Sequence, residues 1–265
     1  MKTQKTLPIF QVDAFTDRPF HGNPAGVCLL DQDAGDAWLQ SVAAEMNLSE
    51  TAFVWPKNPW KIRYFTPRVE VPLCGHATLS AGHVLWGNGL VQTDQPIRFK
   101  SPSGELILSR ENAWICMNMP ADIPIPPTEE PSADGLGEPP VRIMSTRFCG
   151  YLVELKNEEA VRRCKPDFQR LGQQGWVEWI ITAVAKGKAD FVSRFFAPGL
   201  GIPEDPVTGS AHCSLGPYWS LRLNKKSLTG HQISSRFGTV RVRVHRNRVD
   251  VLGKAVTVIR GEWVQ

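Results

Sequence analysis

Arg63-Tyr64-Phe65-Thr66-Pro67 and Arg194-Phe195-Phe196-Ala197-Pro198 are two versions of one phrase, 131 positions apart. The same offset aligns Pro72 with Pro203 and sets Cys74 opposite Asp205. With Pro206-Val207-Thr208 read as a three-residue insertion, Gly75-His76-Ala77 falls on Gly209-Ser210-Ala211. Both segments then run on as apolar, helix-compatible stretches to Trp86 and Trp219. Several matches in the same order, near half the length of the chain, mark an internal duplication. Each unit reads as an aromatic strand, a proline-punctuated loop, a glycine and a helix, with Thr78 and Ser210 as the helix-start residues.

Working outward, strand-like runs dominate. Pro8–Phe15, Gly26–Leu30, Thr51–Trp55 and Lys61–Phe65 are rich in aromatic and β-branched residues and end on Gly, Pro, Asn or Asp. Gly104–Arg110 and Ala113–Met119 alternate as the arms of a hairpin around Glu111-Asn112. Asp36–Met46 differs, because Trp38, Leu39, Val42, Ala43 and Met46 recur at helical spacing. Pro120–Pro140 holds seven prolines and two glycines and suits neither a helix nor a central strand. It divides the chain into an N-terminal domain, residues 1–120, and a C-terminal domain, residues 121–265, with the last strand free to join the first. Beyond it, strands are expected over Tyr151–Lys156, Trp176–Val184, Phe191–Phe196, Gln232–Phe237, Thr239–His245, Arg248–Leu252 and Ala255–Arg260. The expected class is α+β, with two pseudo-symmetric, mostly antiparallel halves.

Composition excludes several function classes. The chain has 265 residues, 42% hydrophobic, enough for two modest cores. Its net charge is +4, and its densest basic patch (Arg241, Arg243, His245, Arg246, Arg248) alternates with valines as the wet face of a sheet does. No nucleic-acid partner is expected. No stretch approaches the ~18 apolar residues of a membrane span. The N-terminal residues lack a secretory pattern, so a cytoplasmic setting is expected. The six cysteines form no CxxC pair and read as free, buried thiols.

The chemistry concentrates at the repeat. Gly75 and Gly209 let backbone N–H groups turn toward a ligand, and a helix start attracts a carboxylate or phosphate. A pseudo-two-fold between the halves would bring both helix starts to one cleft. Cys74 and Asp205, each just before a helix start, suit a pair of proton carriers for racemisation or a proton shift. Their structural readings are a buried small hydrophobe and a turn cap. His76 is paired with Ser210 by the repeat and can move protons near neutral pH. Glu50, in Ser49-Glu50-Thr51-Ala52-Phe53, stands at the mouth of an apolar strand, where burial raises a carboxyl pKa and suits an acid/base role. Cys74-x-His76 is an unusual ligand spacing, and no cluster completes a tetrahedral set, so no metal is expected. Neither GxGxxG, GxxxxGK[ST] nor GxSxG occurs. What remains is cofactor-free acid/base chemistry on a small anionic metabolite.

These residues carry a resemblance. Val12-Asp13-Ala14-Phe15-Thr16, Gly22-Asn23-Pro24-Ala25, Glu45-Met46-Asn47-Leu48-Ser49-Glu50-Thr51-Ala52-Phe53, Phe65-Thr66-Pro67, Leu73-Cys74-Gly75-His76-Ala77-Thr78 and Glu204-Asp205-Pro206-Val207-Thr208-Gly209-Ser210-Ala211-His212 are similar to the motifs of the PhzF-like family of phenazine biosynthesis. The resemblance implies a diaminopimelate epimerase-like fold, in which a β-sheet curls around a central helix in each half. It implies a homodimeric isomerase without metal or organic cofactor. The phenazine member of the family moves a proton within a dihydro-hydroxyanthranilate. The family's acid/base glutamate falls on Glu50, its supporting His, Asp and Ser on His76, Asp205 and Ser210. Asn23, Gly75, Ala77, Gly209 and Ser210 are the implied substrate contacts. Diaminopimelate epimerase uses one cysteine from each repeat. With Cys74 in one place and Asp205 in the other, a two-thiol racemase is disfavoured.

The expectation is therefore an isomerase that shuttles a proton through Glu50 in the interdomain cleft, helped by His76 and Asp205. Two alternatives stand beside it. One is an epimerase or racemase dependent on Cys74 and Asp205. The other is a non-enzymatic dimeric scaffold or interaction protein.

Overall fold

The computed structural model of the protein describes residues 6–264. Its chain forms two compact units. The first ends at Asn118 and resumes at Leu252; the second runs from Met119 to Val251. A single cut at 120 leaves the last strand with the second half. Backbone pairing moves it, because β17 (Ala255–Val264) lies antiparallel to β1 (Thr6–Ala14) along its whole length.

In the first unit, β1 pairs antiparallel with β2 (Asn23–Leu29), and β2 pairs parallel with β3 (Glu50–Trp55). Next come β4 (Trp60–Phe65), antiparallel to β3, and the short β5 (Glu70–Val71), antiparallel to β4. β6 (Ile97–Ser101) is parallel to β4 and opens the β6, β7 (Gly104–Glu111), β8 (Trp114–Pro120) meander. The parallel pair β2–β3 is bridged by α1 (Asp36–Met46), as parallel strands require a crossover. Leu39, Val42 and Ala43 of α1 pack on Leu7, Cys28, Phe53 and Phe65. The helix α2 (Gly75–Gly87) is buried on every side, from His76 to Trp86. A helix apolar all round must be wrapped, and α2 packs on β1, β2, β3 and β17.

The second unit repeats this pattern. β9 (Pro140–Ser145), β10 (Tyr151–Leu155), β11 (Trp179–Val184), β12 (Phe191–Ala197) and β14 (Ser227–Gln232) pair antiparallel, parallel, antiparallel, parallel. β13 (Ile202–Asp205) takes the place of β5, and β15 (Gly238–Val244) pairs antiparallel with β14. The strand β16 (Arg248–Gly253) follows. The helix α5 (Ala211–Leu223) packs on β14 and β15. Its Trp219 donates to Thr182 Oγ1 at 2.9 Å and stacks on Phe191. Each half is thus a mixed, mostly antiparallel sheet with a buried helix, the α+β class expected.

Four details differ from the sequence reading. Gln232–Phe237 is not a strand. β14 stops at Gln232, Ser234 Oγ turns to donate to the Pro206 carbonyl, and Phe237 adopts φ +53°. Trp176 and Val177 precede β11 rather than belong to it. β6 emerges where no strand was expected, with Ile97, Phe99 and Ser101 alternating inward. Two short helices, α3 (Glu158–Arg163) and α4 (Phe168–Gln173), fill the β10–β11 crossover, started by Asn157 and Asp167 side chains that accept from the third residue on. Six residues each are too few to show a helical period.

Candidate active site

The duplication can be checked atom by atom. Arg63 on β4 grips Glu70 with Nε and Nη2, both at 2.7 Å, and lies over the Phe65 ring. Arg194 on β12 grips Glu204 at 2.8 and 2.9 Å and lies over Phe196. These are the same device in each half, so Glu70 corresponds to Glu204 at an offset of 134. Register agrees, since Tyr64 pairs with Val71 and Phe195 with Asp205. The three-residue insertion therefore lies in the 3₁₀ turn around Pro198–Leu200, not after Asp205. This overturns the pairing of Cys74 with Asp205. Asp205 matches Val71, and Cys74 matches Thr208. Gly75 with Gly209 and His76 with Ser210 stand as read.

In the first unit, three polar side chains meet at the start of α2. Glu50 is the first residue of β3, where the chain leaves α1 through Asn47 in the left-handed conformation. Its Oε2 lies 3.1 Å from His76 Nε2, with side-chain exposures of 13% and 7%. Cys74 Sγ lies 3.5 Å from His76 Nδ1. The Asn23 amide, on the first residue of β2, lies 3.2 Å from the same nitrogen. Thr78 is not a helix-start residue. The helix begins at Gly75, and Thr78 sits inside it, donating to the Cys74 carbonyl at 2.6 Å and touching the Tyr64 hydroxyl. Ala77 is fully buried, and its N–H is directed at the Cys74 sulfur rather than outward.

The electrostatics reverse two expectations. Burial alone pushes Glu50 up, but the charge and hydrogen bond of His76, with a hydrogen bond from Cys74, hold it below the usual carboxylate value. Burial opposes charge on His76, yet its interactions with Cys74 and with Glu50 hold its pKa well above the usual histidine value. Glu50 and His76 thus shift each other in opposite directions, the carboxyl down and the imidazole up. The Cys74 thiol is pushed up to about 11 by burial and by the Glu50 charge, so the helix start does not make it a thiolate. The atom of Asn23 that meets His76 Nδ1 is the amide nitrogen Nδ2.

Glu50, Cys74 and His76 place their donor atoms within 4.8 Å of one another. As a metal triad they would need an unprotonated imidazole and a thiolate.

In the second unit, Asp205 is 9% exposed and accepts from Thr208 Oγ1 at 2.5 Å. Gln232 braces this loop, donating to the Asp205 carbonyl and accepting from the Thr208 N–H, both at 2.9 Å. Gly209 is the turn whose carbonyl accepts from the His212 N–H at 3.1 Å. Ser210 occupies the cap position of α5, makes no capping bond, and shares a hydrogen bond with the Cys149 thiol. Sequence reading missed Gln232, because nothing local distinguishes a bracing glutamine from any strand residue. It also missed Cys149, which reaches Ser210 only through the folded loop between β9 and β10.

Comparison with known proteins agrees with this architecture. The family model described as phenazine biosynthesis-like protein, PhzC-PhzF, matches residues 12–261. An uncharacterized isomerase of Pseudomonas aeruginosa is 49% identical over 258 residues, covering 96% of this chain and 97% of that protein. The crystal structure of a PhzF family protein of Enterococcus faecalis superposes with a TM-score of 0.93 at 38% identity, covering 98% of this chain and 99% of the other. A hydroxyproline epimerase of Agrobacterium vitis shares the fold at a TM-score of 0.64 and 11% identity, over 100% of this chain and 92% of its own. The chain belongs to the PhzC-PhzF, phenazine biosynthesis-like family. It is an enzyme of the isomerase class, as its relatives are named.

Proposed function

We propose that the protein isomerises a small carboxylate-bearing metabolite by proton transfer through Glu50. The observation that carries this reading is the 3.1 Å contact between Glu50 Oε2 and His76 Nε2 at the start of a buried helix. A carboxylate held ionised is set to remove a proton, and the adjacent imidazolium stabilises the negative charge left on the substrate. The first-turn N–H groups of α2 at Gly75 and His76 favour an anion beside them. The chemistry asks for no nucleotide cofactor, since neither nucleotide fingerprint occurs in the sequence. Asp205, the family's aspartate, acts in the second unit, where Thr208 fixes its carboxylate.

The Cys74-dependent epimerase loses support on two counts. The thiol is held protonated, and its repeat counterpart is Thr208 rather than an acid or a second thiol. The test uses dihydro-hydroxyanthranilate and trans-4-hydroxy-L-proline as probes in D₂O, in the presence of EDTA, with exchange followed by ¹H NMR. Wild type is expected to incorporate deuterium into a probe carbon, and Glu50→Gln to lose that exchange while keeping its fold. Exchange at the wild-type rate by Glu50→Gln would remove the assignment. Exchange by Glu50→Gln but not by Cys74→Ser would restore the thiol.

A further inference from the structure

The register of the two halves identifies a residue that sequence reading passed over. Phe65 and Phe196 are equivalent, each lying under the arginine that grips Glu70 or Glu204. Thr51 pairs with Phe65, and Trp179 pairs with Phe196. The residue before Thr51 is Glu50; the residue before Trp179 is Glu178. The parallel strand on the other side gives the same answer. Gly26 pairs with Thr51 and Tyr151 pairs with Trp179, which sets Ala25 and Gly150 beside the two glutamates. Gly150, at φ +58°, packs directly on Glu178, where a Cβ would meet its carbonyl and its Cγ.

The surroundings are duplicated as well. His76 corresponds to Ser210, and Ser210 is met by the Cys149 thiol from just before β10, beside Gly150. Glu178 lies close enough to Cys149 for its charge to oppose thiol ionisation. Glu178 and Ser210 are therefore the second unit's counterparts of Glu50 and His76.

We propose that Glu178 is a second acid/base group of this enzyme, acting as a proton donor during turnover. The inference rests on the isomerase reading above. In the step, the Glu178 carboxyl O–H breaks as the substrate carbon regains hydrogen, and the carboxylate left behind takes a proton back from solvent. Chemical inequality between the halves suits this division of work. Glu50 lies against His76, which lowers its carboxyl pKa, whereas Glu178 lies near the Cys149 thiol and burial pushes its carboxyl pKa up. Two carboxyls whose environments push them apart are the mark of an acid and a base.

The test compares wild type, Glu178→Gln, Glu178→Asp and Glu50→Gln. Glu178→Gln is expected to lower turnover of an exchanging probe by about 100-fold with an unchanged thermal midpoint. Its pH profile should lose the alkaline limb, and Glu178→Asp should restore that limb. ¹³C NMR titration of labelled glutamate side chains gives a readout that needs no substrate. The signal lost in Glu178→Gln should titrate above the free carboxyl, and the one lost in Glu50→Gln below it. Wild-type turnover and pH profile in Glu178→Gln, or a Glu178 signal titrating at or below the free value, would overturn the proposal. Loss of exchange in Glu178→Gln but not in Glu50→Gln would remove the Glu50 reading and leave this one standing.

Discussion

His76 Nε2 stands 3.1 Å from Glu50 Oε2, and the two residues come from elements 26 positions apart in the chain. The ring is carried by the first turn of a buried helix, the carboxylate by the first residue of a strand. Each moves the other's pKa toward the charged form, which burial alone would disfavour.

This mutual shift predicts a pH dependence. Glu50 is lowered, so its stabilisation is present above its unfolded value near 4.5 and is lost as pH falls through its folded value. His76 is raised, so its stabilisation is full below its unfolded value near 6.5 and is lost as pH rises through its folded value. The thermal-midpoint difference between wild type and Glu50→Gln is therefore expected to peak between those two values and to shrink on either side. A pH-independent difference would show that the pair is not ionised.

His212 predicts a separate acid weakness. Its Nδ1–H donates to the Thr208 carbonyl at 2.8 Å, and burial pushes its pKa down to about 4. The stabilisation is full above the unfolded value near 6.5 and drains away as pH falls toward the folded one. The gap corresponds to on the order of 3 kcal/mol. Chemical denaturation from pH 7 to 4 should show a shallower loss in His212→Leu than in wild type. Equal slopes would place the acid weakness elsewhere.

The thiols should be silent in the native protein. All six are buried and none is in a disulfide, with Cys28 and Cys213 pushed up to about 12 and Cys74 and Cys164 to about 11, chiefly by burial. A chromogenic disulfide reagent at pH 8 is expected to titrate none of them until denaturant is added. Rapid native labelling of Cys74 would contradict its burial and reopen the thiol mechanism.

Arg194 should matter more than Arg63. Besides Glu204, its Nη1 donates to the carbonyls of Val161 and Cys164 at 3.2 and 2.7 Å, which closes the end of α3. Arg63 instead reaches Asp36, whose side chain is 79% exposed. Lysine cannot reproduce the fork. Arg194→Lys is expected to cost about 2 kcal/mol in urea unfolding, and Arg63→Lys about 1 kcal/mol or less. The reverse order would show that the carbonyl contacts contribute little.

How much of this was legible in the chain depends on the range of the interaction. The Arg-aromatic phrases at 63–67 and 194–198 carry local patterning, and they exposed the duplication and the class of fold. Glu50 and His76 were legible as family motifs. Glu178 repeats the same local signal, a glutamate immediately before an apolar strand, yet Val177 and Trp179 around it share no identity with Ser49 and Thr51. Without register, that signal is one of many. The misplaced insertion has the same origin. A run of matched prolines fixes an alignment only to within a loop, and Pro72 matches Pro203 or Pro206 equally well by type.

The sequence by itself determined that two homologous strand–loop–helix units build this protein, and it singled out Glu50, His76 and Cys74 as candidates for its chemistry. Hydrophobic period and turn residues act between near neighbours, and those survive in one dimension. Only the tertiary structure decided which residues answer to one another across the repeat, Cys74 to Thr208 and Glu50 to Glu178. It also decided that Glu50 is lowered and the Cys74 thiol raised. Strand register is set by backbone pairing at long range, and a pKa is set by whatever charge the fold places within a few ångströms. In this protein, the group that lowers Glu50 is His76.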